Sequence, residues 1–363
     1  MLPANSCPGS WKERRTRKFQ DVSQPLATIR DVAKKAGVSI SVVSKTFNNY
    51  SDVSDETRQR IVKVAKELGY SPNIVAKNLS SKKQLTVGLI SSGVLNNNEK
   101  DNNAFDIFKG VYKAVSDSQY ELSIYLIDSL SQKQQSYLQY CRERNIGGAI
   151  LQGIRTDDPY YKELIDTNIP CVVLDIMTET ENGLIGSVSI DNAQAGRDIA
   201  YHLLENGHRD VVVAAGTRET HVNTERLKGV RQAYREFGLT LEENSIIYAD
   251  FSEPEAFRLA KELLRSMRPT AFLCFSDLMA FGVMKAVEEA GLSIPDEISV
   301  TGFDDLVFSG YTQPGLTTIR QDFIEIGIKS AKLLQELKEG KQEQQHLYVG
   351  HQLVERKSVK KLN

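Results

Sequence analysis

Three observations predict an all-α helix-turn-helix headpiece followed by an α/β core of two parallel-sheet lobes. Three short amphipathic helical patterns crowd into residues 28–70, each opened by a capping side chain. Apolar runs then alternate with amphipathic stretches over about 280 residues, which is βαβ repetition and implies parallel sheets covered by helices on both faces. Charge is also divided: Thr28–Lys82 holds 10 Lys/Arg against 5 Asp/Glu, the chain beyond Gln84 is acidic, and the total of −2 hides the split. A basic head on an acidic body suits a polyanion partner for the head.

Composition sets the outer bounds. A chain of 363 residues, 40% apolar and 25% charged, is globular and long enough for two or three domains. No run approaches the roughly 18 apolar residues of a membrane helix, and no apolar segment follows the N-terminal basic residues, so a cytoplasmic protein is expected. Cys7, Cys141, Cys171 and Cys274 are widely spaced and form no CxxC pair. Neither a disulfide framework nor a metal site is predicted.

Residues 1–27 carry a turn-like Ser6–Ser10 and a basic run, Arg14–Lys18, with no apolar periodicity, and read as a disordered arm. The headpiece follows over 28–73. Its first helix opens with Thr28 and Asp31 in capping-box spacing and ends at Gly37. Ser39 caps a second helix, Ile40–Phe47, of a length suited to a reading helix; Val42, Val43 and Phe47 are expected in the headpiece core. The third starts at Ser54, places Asp55 and Glu56 in its first turn, and runs to Gly69. Two helices joined across Gly37 and braced by a third make a helix-turn-helix. Residues 74–84 have weak helical character and no wide apolar face, the mark of a linker that orders on a partner.

From residue 85 the expected strands are 86–90, 122–127, 148–151, 171–174, 210–214, 245–248, 271–275 and 298–301, with helices near 105–115, 193–204, 259–267 and 278–290. Eight or more strands exceed one compact sheet, hence two lobes. Ligands in such sheets bind beyond the carboxyl ends of the strands, and those ends are polar here: Ser91-Ser92, Asp128, Asp175, Asp250, Ser276-Asp277 and Asp304-Asp305. Carboxylates accept paired hydrogen bonds from vicinal hydroxyls, Arg226 supplies a planar fork, and Phe251 an aromatic platform, a set suited to a polyol. Asp128 and Asp277 read equally as caps. No GxGxxG, GxxxxGK[ST], GxSxG or HExxH occurs, and the five histidines are scattered. An enzyme is not expected, no catalytic residues are assigned, and no cofactor is called for.

The run Thr28-Ile29-Arg30-Asp31-Val32-Ala33-Lys34-Lys35-Ala36-Gly37-Val38-Ser39 resembles the opening of the lactose-repressor/galactose-repressor (LacI/GalR) family of transcriptional regulators. The match continues through Val43-Ser44-Lys45, Gly69-Tyr70, Pro72-Asn73 and Ala76–Leu79, then Asn206-Gly207-His208, Arg226–Gly229, Gly302–Asp305 and Leu316–Ile319, covering nearly everything after residue 27.

This resemblance implies a homodimer on pseudo-palindromic double-stranded operator DNA, away from membranes, and a periplasmic-binding-protein-like core sensing a small molecule, a sugar in the reading taken here. It places Ile40, Ser41 and Lys45 at base edges in the major groove, with Lys45 where Arg is usual. Ser39, Ser44 and Asn48 match phosphate-positioning residues, and Asn73 and Lys77 join them as DNA contacts. Residues 74–84 become a hinge helix whose Leu79 wedges into the minor groove. In the core, Ser92, Asp175, Arg226, Phe251, Ser276, Phe303 and Asp304 fall on effector-lining positions. Relatives that respond to nucleobases, and a global regulator that binds a phosphorylated carrier protein, keep those alternatives open; a sugar-binding transport protein is the rival of another class. The implied lobes are about 85–188 with 321–347, and about 189–320 with 348–356.

Overall fold

The structure, a computed structural model, describes residues 27–48, 50–71, 84–92, 103–116, 118–127, 136–154, 160–161, 163, 168–177, 182–341 and 343–362. These belong to two compact units, Met1–Lys82 and Lys83–Asn363. The expected arm, the linker with Asn73, Lys77 and Leu79, and Asp128 lie outside the described residues.

In the first unit, α1 (Ile29–Ala36) begins with the capping box of Thr28 and Asp31 and stops at Gly37, whose φ of 68° is left-handed. Helix α2 (Ile40–Phe47) is capped by Ser39, and α3 (Asp55–Leu68) by Ser54. Val32, Ala33, Ala36, Val43, Ile61 and Ala65 form the buried centre, with Val42 and Phe47 packed against it and the rings of Phe47 and Tyr70 5.8 Å apart.

The second unit is built on two parallel sheets. The first holds β1 (Thr86–Ser92), β2 (Glu121–Ile127), β3 (Ile146–Gln152), β4 (Cys171–Leu174), β5 (Ile185–Ile190) and β11 (His346–Val349), in the order β11-β5-β4-β3-β1-β2. The second holds β6 (Val211–Ala215), β7 (Ile246–Tyr248), β8 (Ala271–Cys274) and β9 (Ser299–Thr301), in the order β7-β6-β8-β9. A separate pair, β10 (Thr318–Gln321) and β12 (His351–Val354), runs antiparallel. The described helices of this unit are α4 (Asn103–Val115), α5 (Tyr137–Glu143), α6 (Asn192–Glu205), α7 (His221–Glu236), α8 (Glu253–Leu263), α9 (Asp277–Glu289) and α10 (Phe323–Glu339).

Two details move the lobe limits. Strand β5 keeps the chain in the first sheet to Ile190, past Val188, and β11 holds Tyr348 and Val349 there, two residues placed in the second lobe by the sequence reading. The tail beyond Glu355 also fastens to the second lobe: Val300 N donates to Ser358 O at 2.9 Å and Leu362 N to Asn206 O at 2.8 Å.

Glycine lets the helix pairs close up. Along α6 and α7, a Cβ on Gly229 would stand 1.8 Å from the Ala193 carbonyl oxygen, and one on Gly196 2.4 Å from that of Arg226. Backbone meets backbone, so no rotamer change can make room. Gly229→Ala should therefore cost the core about 1–3 kcal/mol or more, read as a lower midpoint in denaturant unfolding; an unchanged midpoint would show the pair can slide apart freely.

Candidate functional site

The outer face of α2 is assembled by its N-cap. Ser39 Oγ accepts from Val42 N and lies 2.8 Å from Ser41 Oγ, while Val43 and Thr46 turn inward, so Ser39, Ile40 and Ser41 are left exposed. Ile40 is 45% exposed, a large apolar side chain offered to solvent on a polar surface. Ser44 and Asn48 lie one turn on, joined by Asn48 Nδ2 donating to Ser44 Oγ at 3.5 Å. Lys45 ion-pairs with Asp52. All six predicted reading or positioning residues of this helix thus occur together. Sequence reasoning missed Asp52, and also Arg58, which donates to the carbonyls of Thr46 and Tyr50 at 2.8 Å each and so pins the turn after α2. For Asp52 the only prior signal was a lone charge in a turn; Arg58, in the first turns of α3, belongs with Thr57 to the run resembling the family.

In the core, the strand ends gather around Arg226. This side chain is only 5% exposed. Its Nε donates to Asn192 Oδ1 at 2.9 Å, its Nη1 to the Phe275 carbonyl, and its guanidinium lies 3.6 Å from the centre of the Phe303 ring. Burial draws its pKa down to about 10, opposed by the carboxylates of Asp304, Asp175 and Asp277, so it stays charged at neutral pH. Asn192 Nδ2 donates to Ser189 Oγ at 3.1 Å, and Ser189 Oγ donates to Asp175 Oδ1 at 2.9 Å. A relay thus runs from Asp175 at the end of β4, through β5 and the start of α6, to α7.

Asp175, at φ 61°, carries a carboxyl that burial raises above the usual range, against Ser189, Arg226 and His221. His221, the first residue of α7, was not expected at the site; it was one of the scattered histidines. Asp304 takes a φ of 117°, a strained value for a residue with a side chain, and its carboxylate accepts from Gln321 Nε2 of β10 at 2.7 Å. Phe251, also left-handed at φ 56°, lays its ring against Gly216, where a Cβ would stand 2.0 Å away.

The remaining predicted residues play supporting parts. Phe303 is fully buried beneath Arg226 and acts through it. Ser276 caps α9, accepting from Met279 N at 3.2 Å. Ser92 ends β1, buried, with its carbonyl against Gly153. Asp277 is a buried hub: its oxygens accept from Leu306 N at 2.8 Å, Ser309 Oγ at 2.5 Å and Thr318 Oγ1 at 2.6 Å. Desolvation raises its pKa to about 6 in spite of those bonds.

Comparison with known proteins bears on the family and the fold of both units. Residues 28–73 match the family model described as bacterial regulatory proteins, lacI family, and residues 200–359 that of a periplasmic binding protein-like domain. The HTH-type transcriptional repressor PurR of Photobacterium profundum is 32% identical over 348 residues, covering 93% of this chain and 100% of that one. The lac repressor dimer bound to operator and the anti-inducer ONPF superposes with a TM-score of 0.82 at 27% identity, covering 92% and 99%. A complex of the transcriptional regulator CelR with cellobiose gives 0.69 at 26% identity, again covering 92% and 99%.

The Asp277 hub has a pH signature. A carboxyl whose folded pKa lies above its unfolded value stabilises the fold most below about pH 4, and that contribution is lost as pH rises through about 6. The stability difference between wild type and Asp277→Asn, followed by urea unfolding from pH 4 to 7, should thus shrink with rising pH by up to about 3 kcal/mol. A difference that is flat with pH would contradict this.

Proposed function

This chain belongs to the lacI family of bacterial regulatory proteins and is a DNA-binding transcriptional repressor, and from that premise we propose that it controls carbohydrate-utilisation genes in response to a sugar held between the core lobes. The Arg226 relay carries the reading. One buried fork, two acidic groups in Asp175 and Asp304, and the Phe251 ring match the paired hydroxyls and the apolar face of a sugar. The structural relative CelR, whose complex holds cellobiose, supports the same ligand class. Phe251 is equally a platform for a planar base, and the PurR relatives favour a nucleobase as the second reading.

The protein acts as a homodimer in the cytoplasm, where the chromosome is. Its second copy covers apolar surface that a monomer would leave in water: Phe105 and Tyr112 on α4, Ile124 and Leu126 on the edge strand β2, and Tyr311 at 81% exposure. Paired heads then reach half-sites about 34–36 Å apart. Ile40, Ser41 and Lys45 face base edges, Ser39, Ser44, Asn48, Asn73 and Lys77 face phosphates, and Leu79 enters the minor groove at the centre.

Two measurements test this reading. Binding of the full chain to random duplex should weaken steeply and log-linearly with salt, because the head binds by displacing counterions from phosphate; binding indifferent to salt, or none at all, would remove DNA from the account. Arg226→Ala should abolish the thermal shift given by the active sugar or nucleobase, about 2.7 kcal/mol of stabilisation at 100 times its dissociation constant. Retention of the full shift would show that the ligand lies elsewhere.

A further inference from the structure

Lys45 does not stand alone on the outer face of α2. Its ammonium donates to Asp52, and both side chains are about half exposed. Asp52 sits in the turn between α2 and α3, which Arg58 clamps through the carbonyls of Thr46 and Tyr50. The other carboxylates of the head with resolved partners are engaged elsewhere, Asp31 with Thr28 and Glu67 with Lys35. Near a phosphate backbone an isolated carboxylate is repelled, but one fixed beside an ammonium makes a donor and an acceptor at a set separation.

The major groove offers a matching pattern. Across a G·C pair the groups run acceptor, acceptor, donor: guanine N7 and O6, then the cytosine N4 amine. Across an A·T pair they run acceptor, donor, acceptor, and end on thymine O4 with its methyl group. We propose that Lys45 and Asp52 together read a single G·C base pair in each half-site, Lys45 donating to guanine and Asp52 accepting from the cytosine amine. An A·T pair in the same place sets the carboxylate against O4 and is rejected. Asp52 is thereby a specificity-determining residue. The proposal rests on the DNA-reading assignment of α2 and adds to it a second reader that compensates for the missing rigid fork of an arginine.

The test is selection from a duplex pool randomised over about 20 base pairs, the span of two half-sites, using the full-length wild type, Lys45→Ala, Asp52→Ala, Asp52→Asn and the double alanine variant. Gel shifts then compare the selected duplex with one in which a single G·C pair per half-site is replaced by A·T. Wild type should prefer G·C by roughly tenfold, and Lys45→Ala and Asp52→Ala should each erase that preference at the same base pair while sparing the others. The double variant should lose no more, and Asp52→Asn, which keeps an accepting oxygen, should retain part of the preference. If Asp52→Ala binds every duplex more tightly with the wild-type preferences intact, Asp52 only neutralises Lys45 and the proposal fails. If the two alanine variants relax different base pairs, it fails as well. Failure of the wild type to enrich any sequence would instead bring down the DNA reading on which it rests.

Discussion

A guanidinium sealed from water must have its donors answered, and the core is arranged around that demand at Arg226. Removing such an ion from water carries an effective penalty of several kcal/mol. Asn192 answers Nε, the Phe275 carbonyl answers Nη1, and the Phe303 ring backs the flat face. Asn192 in turn is held by Ser189, and Ser189 by Asp175. Each link lies on a different element, and the middle ones sit where the chain leaves the first lobe for the second. Loss of any link strands a buried donor at about 1–3 kcal/mol, so the relay holds or gives way as one unit. A ligand that takes over one of these bonds changes the relative energy of lobe arrangements, which is the differential contact a conformational response requires.

Asp277 extends the same logic outward. Its backbone N–H donates to the Phe303 carbonyl, and its carboxylate ties Thr318 on the crossing strand β10 to Ser309 in the short 3-10 turn Val307–Gly310. Gly302 is forced here, since a Cβ would stand 2.1 Å from Asp277 Oδ1. The turn carries the exposed Val307 and Phe308. The strand ends that support Arg226 therefore also fix a lobe crossing and an apolar surface turn. Three hydrogen bonds to one buried carboxylate thus join the cleft strand ends, the crossing strand and the surface turn.

What the sequence disclosed and what it hid follow from the range of the forces involved. Caps are local, and Thr28, Ser39 and Ser54 open their helices where the residues alone placed them. The apolar runs marked β1 to β4 and β6 to β9 to within two residues. Strand β5, Ile-Gly-Ser-Val-Ser-Ile, escaped notice because buried glycine and serine weaken its apolar signature, although all six residues are buried. Helix α8 begins at Glu253, six residues before the expected 259, where Ser252 as N-cap and Pro254 in the first turn outweigh the later apolar spacing. At the sites, Arg226 and Asp304 were legible from their places after strands. His221 and Asp52 were not, since each acquires its partner across a turn or from another lobe, and a single sequence does not encode that proximity in its periodicity.

The energetics of the head explain why such a core is useful. With 10 basic residues against 5 acidic ones, a single head can neutralise only a few phosphates, and the acidic core adds none. One head alone is a weak ligand at physiological salt. Two heads joined through a dimer gain from effective concentration, which for a short connection reaches the millimolar range and falls sharply when the span no longer matches the sites. Allosteric coupling is typically 1–3 kcal/mol, a factor of about 5 to 150 in affinity, and one relay of buried hydrogen bonds is of that size. The effector therefore has no need to touch the reading residues. In the proposed reading, altering how closely two weak heads are held is sufficient, because a bivalent grip falls off steeply when the span no longer matches the sites.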